Sequence, residues 1–336
     1  MILVLLAGGG FVGWQAYQAI YQPNVVLEDN DSPYVYIATG DDFQKVSAQL
    51  YERKMILNRS SFEWVAEQKK YTGHVRPGRY KVEAGMTNSE LVNLLRSGKQ
   101  EPVKLVFHNV RTLPDLAGRI ARQIEADSTK LVSAMLSTES AREYGFNEHS
   151  FRSMFIPNTY QLNWNTSAKQ FLDRMAREFK VFWNEKRKMK ARELNLQQSE
   201  VHTLASIVEE ETSKREEAPR IAGVYVNRLR KGMPLQADPT LKWAIGDFTI
   251  KRLLDKDKEI NSPYNTYKYR GLPPGPIRLA DTRYIDAVLD YERHDYLYFC
   301  AREDFSGYTN FAKTYAQHLV NARRYQRALN QRKIYR

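Results

Sequence analysis

One cysteine, Cys300, in a chain of 336 residues leaves no way to close an intramolecular disulfide, so hydrophobic cores must supply the stability. The six histidines, His74, His108, His149, His202, His294 and His318, show no metal-ligand spacing and have no cysteine cluster to join. No metal or other cofactor is expected. Neither a glycine-rich phosphate loop nor a G-x-S-x-G turn occurs, which withdraws support from nucleotide and serine-hydrolase chemistry. No segment recurs at a fixed period, so a solenoid or propeller is not expected. Charge of either sign is missing from residues 1–21, although charged side chains make up 27% of the whole.

That uncharged stretch, MILVLLAGGGFVGWQAYQAIY, is close to the roughly 20 residues a helix needs to cross a bilayer. A cleaved signal peptide competes with a span, but the basic flank of a signal peptide is absent. Trp14, Tyr17 and Tyr21 suit an interfacial belt. The expectation is an uncleaved single-pass anchor in the cytoplasmic membrane, with residues 22–32 as a linker and the rest of the chain outside. The formal net charge of +12 favours acidic partners: nucleic acid, anionic lipid headgroups or a carboxylate-rich wall polymer. An exported protein meets only the last two, so no nucleic-acid partner is expected.

The remainder reads as α+β. In residues 33–102 a β-rich run, Tyr34 to Ile37, precedes a helical spacing at Phe43, Val46 and Leu50. A second strand around Tyr80 precedes a helix that opens on a capping-box signature, Thr87 with Glu90 three residues on. This alternation resembles a LysM-like module, a small unit of wall-acting proteins; a packing domain without a ligand is the competing reading. Residues 103–336 read as a larger, helix-rich domain. Helices are expected at 114–124, 128–136 and 167–190, an aromatic turn at 155–160, and a solvated helix end at the basic run 186–190.

The chemistry points to one helix. After Ser199, the run 200–212 places Val201, Leu204, Ala205 and Val208 on a buried stripe and ends in three glutamates. At about 100° per residue, Glu210 falls opposite the stripe and is expected in solvent, while Glu209 and Glu211 fall on its two edges. Glu211 lies slightly nearer the centre, where apolar walls would raise a carboxylic pKa and let it hold a proton near neutrality. Ordinarily a glutamate run at a helix end is a solvated face. Here it is followed by a second amphipathic helix at 221–229 and by loops dense in amide, hydroxyl and aromatic groups, held by proline and glycine, a composition that suits a carbohydrate cleft.

Five ordered segments make a specific resemblance: 205–212 (ASIVEEET), 227–229 (NRL), 235–240 (LQADPT), 264–267 (YNTY) and 271–277 (GLPPGPI). Their order and spacing are similar to those of the YceG-like endolytic murein transglycosylases, and the likeness extends over nearly the whole chain. It implies a non-hydrolytic lyase that cuts the glycosidic bond from N-acetylmuramic acid to N-acetylglucosamine in nascent peptidoglycan strands and leaves 1,6-anhydro ends. The resemblance implies Glu211 as the catalytic acid and Glu209 as its support, with wall-synthesis enzymes as partners. Asn227, Gln236, Asp238, Tyr264, Asn265, Thr266 and Tyr267 are expected to bind substrate; Asn227 and Arg228 could equally brace loops. Two positions depart from the family, Asn158 in place of an aspartate and Tyr308 in place of a histidine, and neither is given a role. A hydrolytic muramidase using Asp238 as second carboxylate, and a non-catalytic wall-binding scaffold, are the alternatives.

Overall fold

The computed structural model describes residues 2–28, 32–250 and 253–332, and the chain divides into two compact units. The first comprises residues 1–105, 121–126 and 160–167; the second comprises 106–120, 127–159 and 168–336.

The first unit opens with α1 (Ile2–Tyr21), followed by β1 (Tyr34–Ile37), α2 (Phe43–Glu52), α3 (Arg59–Gln68), β2 (Gly78–Lys81) and α4 (Asn88–Ser97). Strands β1 and β2 pair antiparallel, with Tyr34 opposite Lys81 and Ile37 opposite Gly78. Alternation turns Val35 and Ile37 inward onto Phe43, Leu50, Phe62 and Leu91. The Phe43 ring stacks on Phe62 and meets Tyr71 edge-on. The expected capping box is present: Thr87 N donates to Glu90 Oε2 at 2.9 Å, and Glu90 N donates to Thr87 Oγ1 at 3.2 Å. Helix α3 is an addition to the expected alternation, started by Asn58, whose Oδ1 accepts from Ser61 N.

The expected membrane span is overturned. Among the described residues, no helix is long and apolar enough to cross a membrane. Four glycines, Gln15 and Gln18 interrupt the apolar run of α1. Its last turns instead join the core of the first unit: Ala19 and Ile20 pack against the cluster, and Asn88 Nδ2 donates to Ala19 O at 2.9 Å. Met1 and residues 29–31 of the expected linker lie outside the described residues.

Next come β3 (Val103–Phe107), α5 (Leu113–Ala121), α6 (Ser128–Leu136), α7 (Thr138–Glu143), β4 (Asn158–Leu162), α8 (Ala168–Phe182), α9 (Glu185–Glu193) and α10 (Gln198–Glu211). Then follow α11 (Ala218–Arg230), α12 (Asp238–Ile245), α13 (Thr282–Leu289), a β5 (Tyr298–Ala301) and β6 (Thr309–Ala312) hairpin, and α14 (Tyr315–Gln331). The single helix expected at 167–190 is two, broken where the Asn184 side chain caps α9 through Arg187 N. The basic run is not purely solvated, because Arg187 forms a bidentate pair with Asp286. The turn expected at 155–160 continues into β4.

Helix α10 is the axis of the second unit. Eight consecutive residues, Val201 to Val208, are buried, so the expected stripe is burial all round. Its polar members are satisfied internally: Ser206 Oγ donates to Thr203 O and accepts from Ile277 N. Trp183 Nε1 reaches His202 Nε2 at 3.2 Å. Burial lowers the His202 pKa to about 3, so this histidine is a neutral core residue. Gly275 is required by closeness: a Cβ there would sit 2.0 Å from His149 O.

Candidate active site

Every site residue expected from the sequence lies in the second unit. The C-terminal end of α10 sets the geometry, because Glu209, Glu210 and Glu211 leave the helix in three directions and enter different surroundings.

Glu211 faces α11. The Tyr225 hydroxyl donates to Glu211 Oε1 at 2.7 Å, and Tyr225 is itself buried, its ring meeting Phe299 edge-on. Glu211 as a whole keeps partial contact with solvent, yet desolvation of its carboxyl raises its pKa to about 7. The Tyr225 hydrogen bond works against that rise, the negative charge of Asp238 adds to it, and Lys242 and Arg228 oppose it. Burial, reinforced by Glu211, pushes the Tyr225 phenol well above its ordinary range, so it stays a donor.

Asp238 begins α12 and is exposed; its Oδ1 accepts from the Tyr267 hydroxyl. Burial and that bond raise the Tyr267 pKa. Gln236, exposed and left-handed at φ 51°, takes its backbone N–H to Thr266 O, while its Oε1 lies 3.4 Å from an Arg228 guanidinium nitrogen. Tyr264 is buried beside Trp243 and His149, with no hydrogen-bond partner for its hydroxyl among the described residues.

Other expected contacts are spent on the fold. Asn265 is fully buried; its Nδ2 donates to Lys258 O and Ile260 O, and its Oδ1 accepts from Tyr267 N. Thr266 Oγ1 accepts from Ala237 N and meets Thr240 Oγ1 at 2.8 Å. Asn227 Nδ2 donates to His294 O and Tyr296 O. Arg228 likewise braces, donating to Leu297 O and Leu235 O. These four side chains fix the loops that carry Gln236 and bring Asp238 and Tyr267 within electrostatic reach of Glu211.

Glu209 and Glu210 belong to a different, arginine-rich setting. Glu210 is not free in solvent: Arg111 donates to both of its oxygens at 2.7 and 2.8 Å, and Arg278 to Oε1 at 2.6 Å. Glu209 lies 3.2 Å from Arg278 and accepts from Asp281 N at 2.9 Å. Burial raises its pKa and Arg278 opposes the rise. Glu209 lines an open cleft of about 680 Å³ with Thr212, Arg215, Arg278, Asp281 and Arg283.

Tyr225 had no sequence signal strong enough to single it out, because a tyrosine on a buried helix stripe reads as core. Its spacing from Arg228, one turn on, was the available hint: two polar-tipped residues share the buried face of α11.

The YceG-like family model matches residues 35–324. An endolytic murein transglycosylase of Bacillus subtilis is 30% identical over 332 residues, covering 94% of this chain and 89% of its own. One of Streptococcus pneumoniae is 26% identical over 339 residues; there the chain spans 60% of the relative's length. The crystal structure of a yceG-like protein of Listeria monocytogenes superposes with a TM-score of 0.56 at 29% identity, covering 85% of this chain and 98% of that one. With the match extending over most of both units, the chain belongs to the YceG-like family.

Proposed function

We propose that Glu211 is the single acid and base of an endolytic murein transglycosylase. The observation that carries this reading is the state of its carboxyl. A pKa raised to about 7 leaves a substantial protonated fraction at neutral pH, whereas a solvated glutamic acid would have lost its proton. The relatives' shared activity supports the reaction class.

Because Tyr225 donates to Oε1, the acidic proton belongs on Oε2. Glu211 gives that proton to the glycosidic oxygen leaving C1 of N-acetylmuramic acid, and an oxocarbenium-like centre develops. The C6 hydroxyl of the same sugar then attacks C1 while the Glu211 carboxylate takes its proton. The C1–O bond to the leaving sugar is exchanged for an internal 1,6-anhydro bond, and Glu211 ends protonated as it began. Water takes no part. A hydrolase would need a second carboxylate placed across the sugar, and Asp238 is already engaged by Tyr267.

In this reading Gln236, Asp238 and Tyr267 orient sugar, while Asn227, Asn265 and Thr266 hold the loops that present them and the buried Tyr264 packs behind them. Residues 33–102 serve as a LysM-like wall-facing module, residues 103–336 as the catalytic domain. The site of action is the outer face of the cytoplasmic membrane, on nascent strands, in company with wall-synthesis enzymes. The positive net charge suits that polyanionic setting.

Mass analysis of purified glycan strands after digestion tests the proposal. Anhydro-ended fragments that vanish with Glu211→Gln are expected. Reducing ends would move the assignment to a muramidase, and binding without turnover would move it to a scaffold.

A further inference from the structure

Beside the catalytic carboxyl, on the other edge of α10, lies the cleft lined by Glu209, and its charges do not balance. Three guanidiniums, Arg215, Arg278 and Arg283, face two carboxylates, Glu209 and Asp281. Arg278 is committed to Glu209 at 3.2 Å and to Glu210 at 2.6 Å. Arg283 is committed to Asp281 at 2.8 Å, which holds the Asp281 carboxyl below the usual range. Arg215 starts the short 3-10 turn Arg215–Glu217, is exposed, and has no acidic partner among the described residues.

We propose that this cleft is a subsite for the carboxylate-bearing peptide side chains of the glycan substrate, with Arg215 as the cation that receives them. The inference rests on the murein reading and adds to it a second point of recognition. Residues 209 and 211 differ by about 3 Å along a helix axis but point to separate edges. A polymer whose sugar backbone lies at Glu211 therefore carries its pendant groups past the neighbouring edge. Peptidoglycan hangs a peptide from each muramic acid, and those peptides bear free carboxylates. The cleft is open and roomy, as a chain that must enter sideways requires, and Arg215 has donors in a fork that fits a carboxylate.

The test uses the full chain, Arg215→Gln and Arg215→Lys, on three probes: peptide-bearing glycan strands, the same strands stripped of peptide by an amidase, and strands whose peptide carboxyls have been amidated. Arg215→Gln should raise KM for peptide-bearing strands by roughly two- to fivefold at unchanged kcat, since a solvent-exposed pair is worth little more. It should change neither parameter on amidated or stripped strands, and Arg215→Lys should recover most of the loss. An equal change on all three probes, or none on peptide-bearing strands, would overturn the subsite. Failure of the parent protein to release anhydro ends from any strand would sink the murein reading, and this subsite with it. Unchanged thermal unfolding of both variants separates these outcomes from a folding defect.

Discussion

Glu211 and its two predecessors share a helix, a charge type and a chain segment, but not a state. Glu209 and Glu210 meet arginines: Arg278 reaches both, and Arg111 clamps Glu210. Glu211 meets the Tyr225 phenol, and desolvation raises its pKa to about 7 with that hydrogen bond as the largest opposing influence. The same side-chain type is thus an arginine-paired acid at one edge of α10 and the proposed proton carrier at the other. What separates the two roles is the partner each edge finds, residues 278–283 on one side and α11 on the other. Neighbours in sequence therefore need not share partners in space.

The sharpest way to break this comparison is Glu211→Gln, which keeps shape and the Tyr225 contact while removing the proton. Turnover should fall by roughly 10²- to 10⁴-fold, read as loss of anhydro-ended products. Stability should move the other way at alkaline pH. The folded-state pKa of Glu211 is raised from 4.5 to about 7, so its favourable contribution is complete below about 4.5 and lost as pH rises through 7. Glu211→Gln should flatten the decline of Tm between pH 5 and 9, and a parallel decline in both proteins would refute the buried-acid picture. The next largest effect belongs to the opposite edge. Arg278→Ala leaves Glu209 and Glu210 short of a guanidinium in a setting where Arg278 is 8% exposed, and should cost about 3 kcal/mol of unfolding free energy in urea titration. A loss of activity without that loss of stability would contradict its bracing role.

Which of these features the chain announces depends on how far apart the partners sit in it. The edge position of Glu211 follows from helical periodicity within 14 residues, and the Thr87–Glu90 cap from a spacing of three, so both are readable locally. The Tyr225–Glu211 bond joins two helices, and Arg278 reaches Glu210 across 68 positions; no period encodes either. Glu210 was placed in solvent by the wheel because a wheel knows only its own helix, not the arginines that cover it. The N-terminal run shows the opposite error. Its lack of charge resembles a bilayer span, but Gln15, Gln18 and four glycines thin its hydropathy, and Ala19 and Ile20 find apolar partners in the first unit.

Two smaller changes sharpen the comparison because they act on Glu211 with opposite signs. Tyr225→Phe deletes the donor that holds the carboxyl's pKa down, so that pKa should rise. The loss of activity that accompanies deprotonation of Glu211 should shift to higher pH, and kcat should drop about tenfold as Oε1 loses its partner. Asp238→Asn removes a negative charge that pushes the pKa up, so the same limb of the profile should shift to lower pH, with kcat reduced no more than about threefold. The direction of these two shifts separates the readings more cleanly than their size. If Asp238 were instead the base that activates water, Asp238→Asn would cost as much as Glu211→Gln, and the residual products would carry reducing ends. A small loss, a downward shift and anhydro ends together require one carboxyl to do the work of two, because the proton that Glu211 gives to the leaving sugar is replaced by one from the substrate's own C6 hydroxyl.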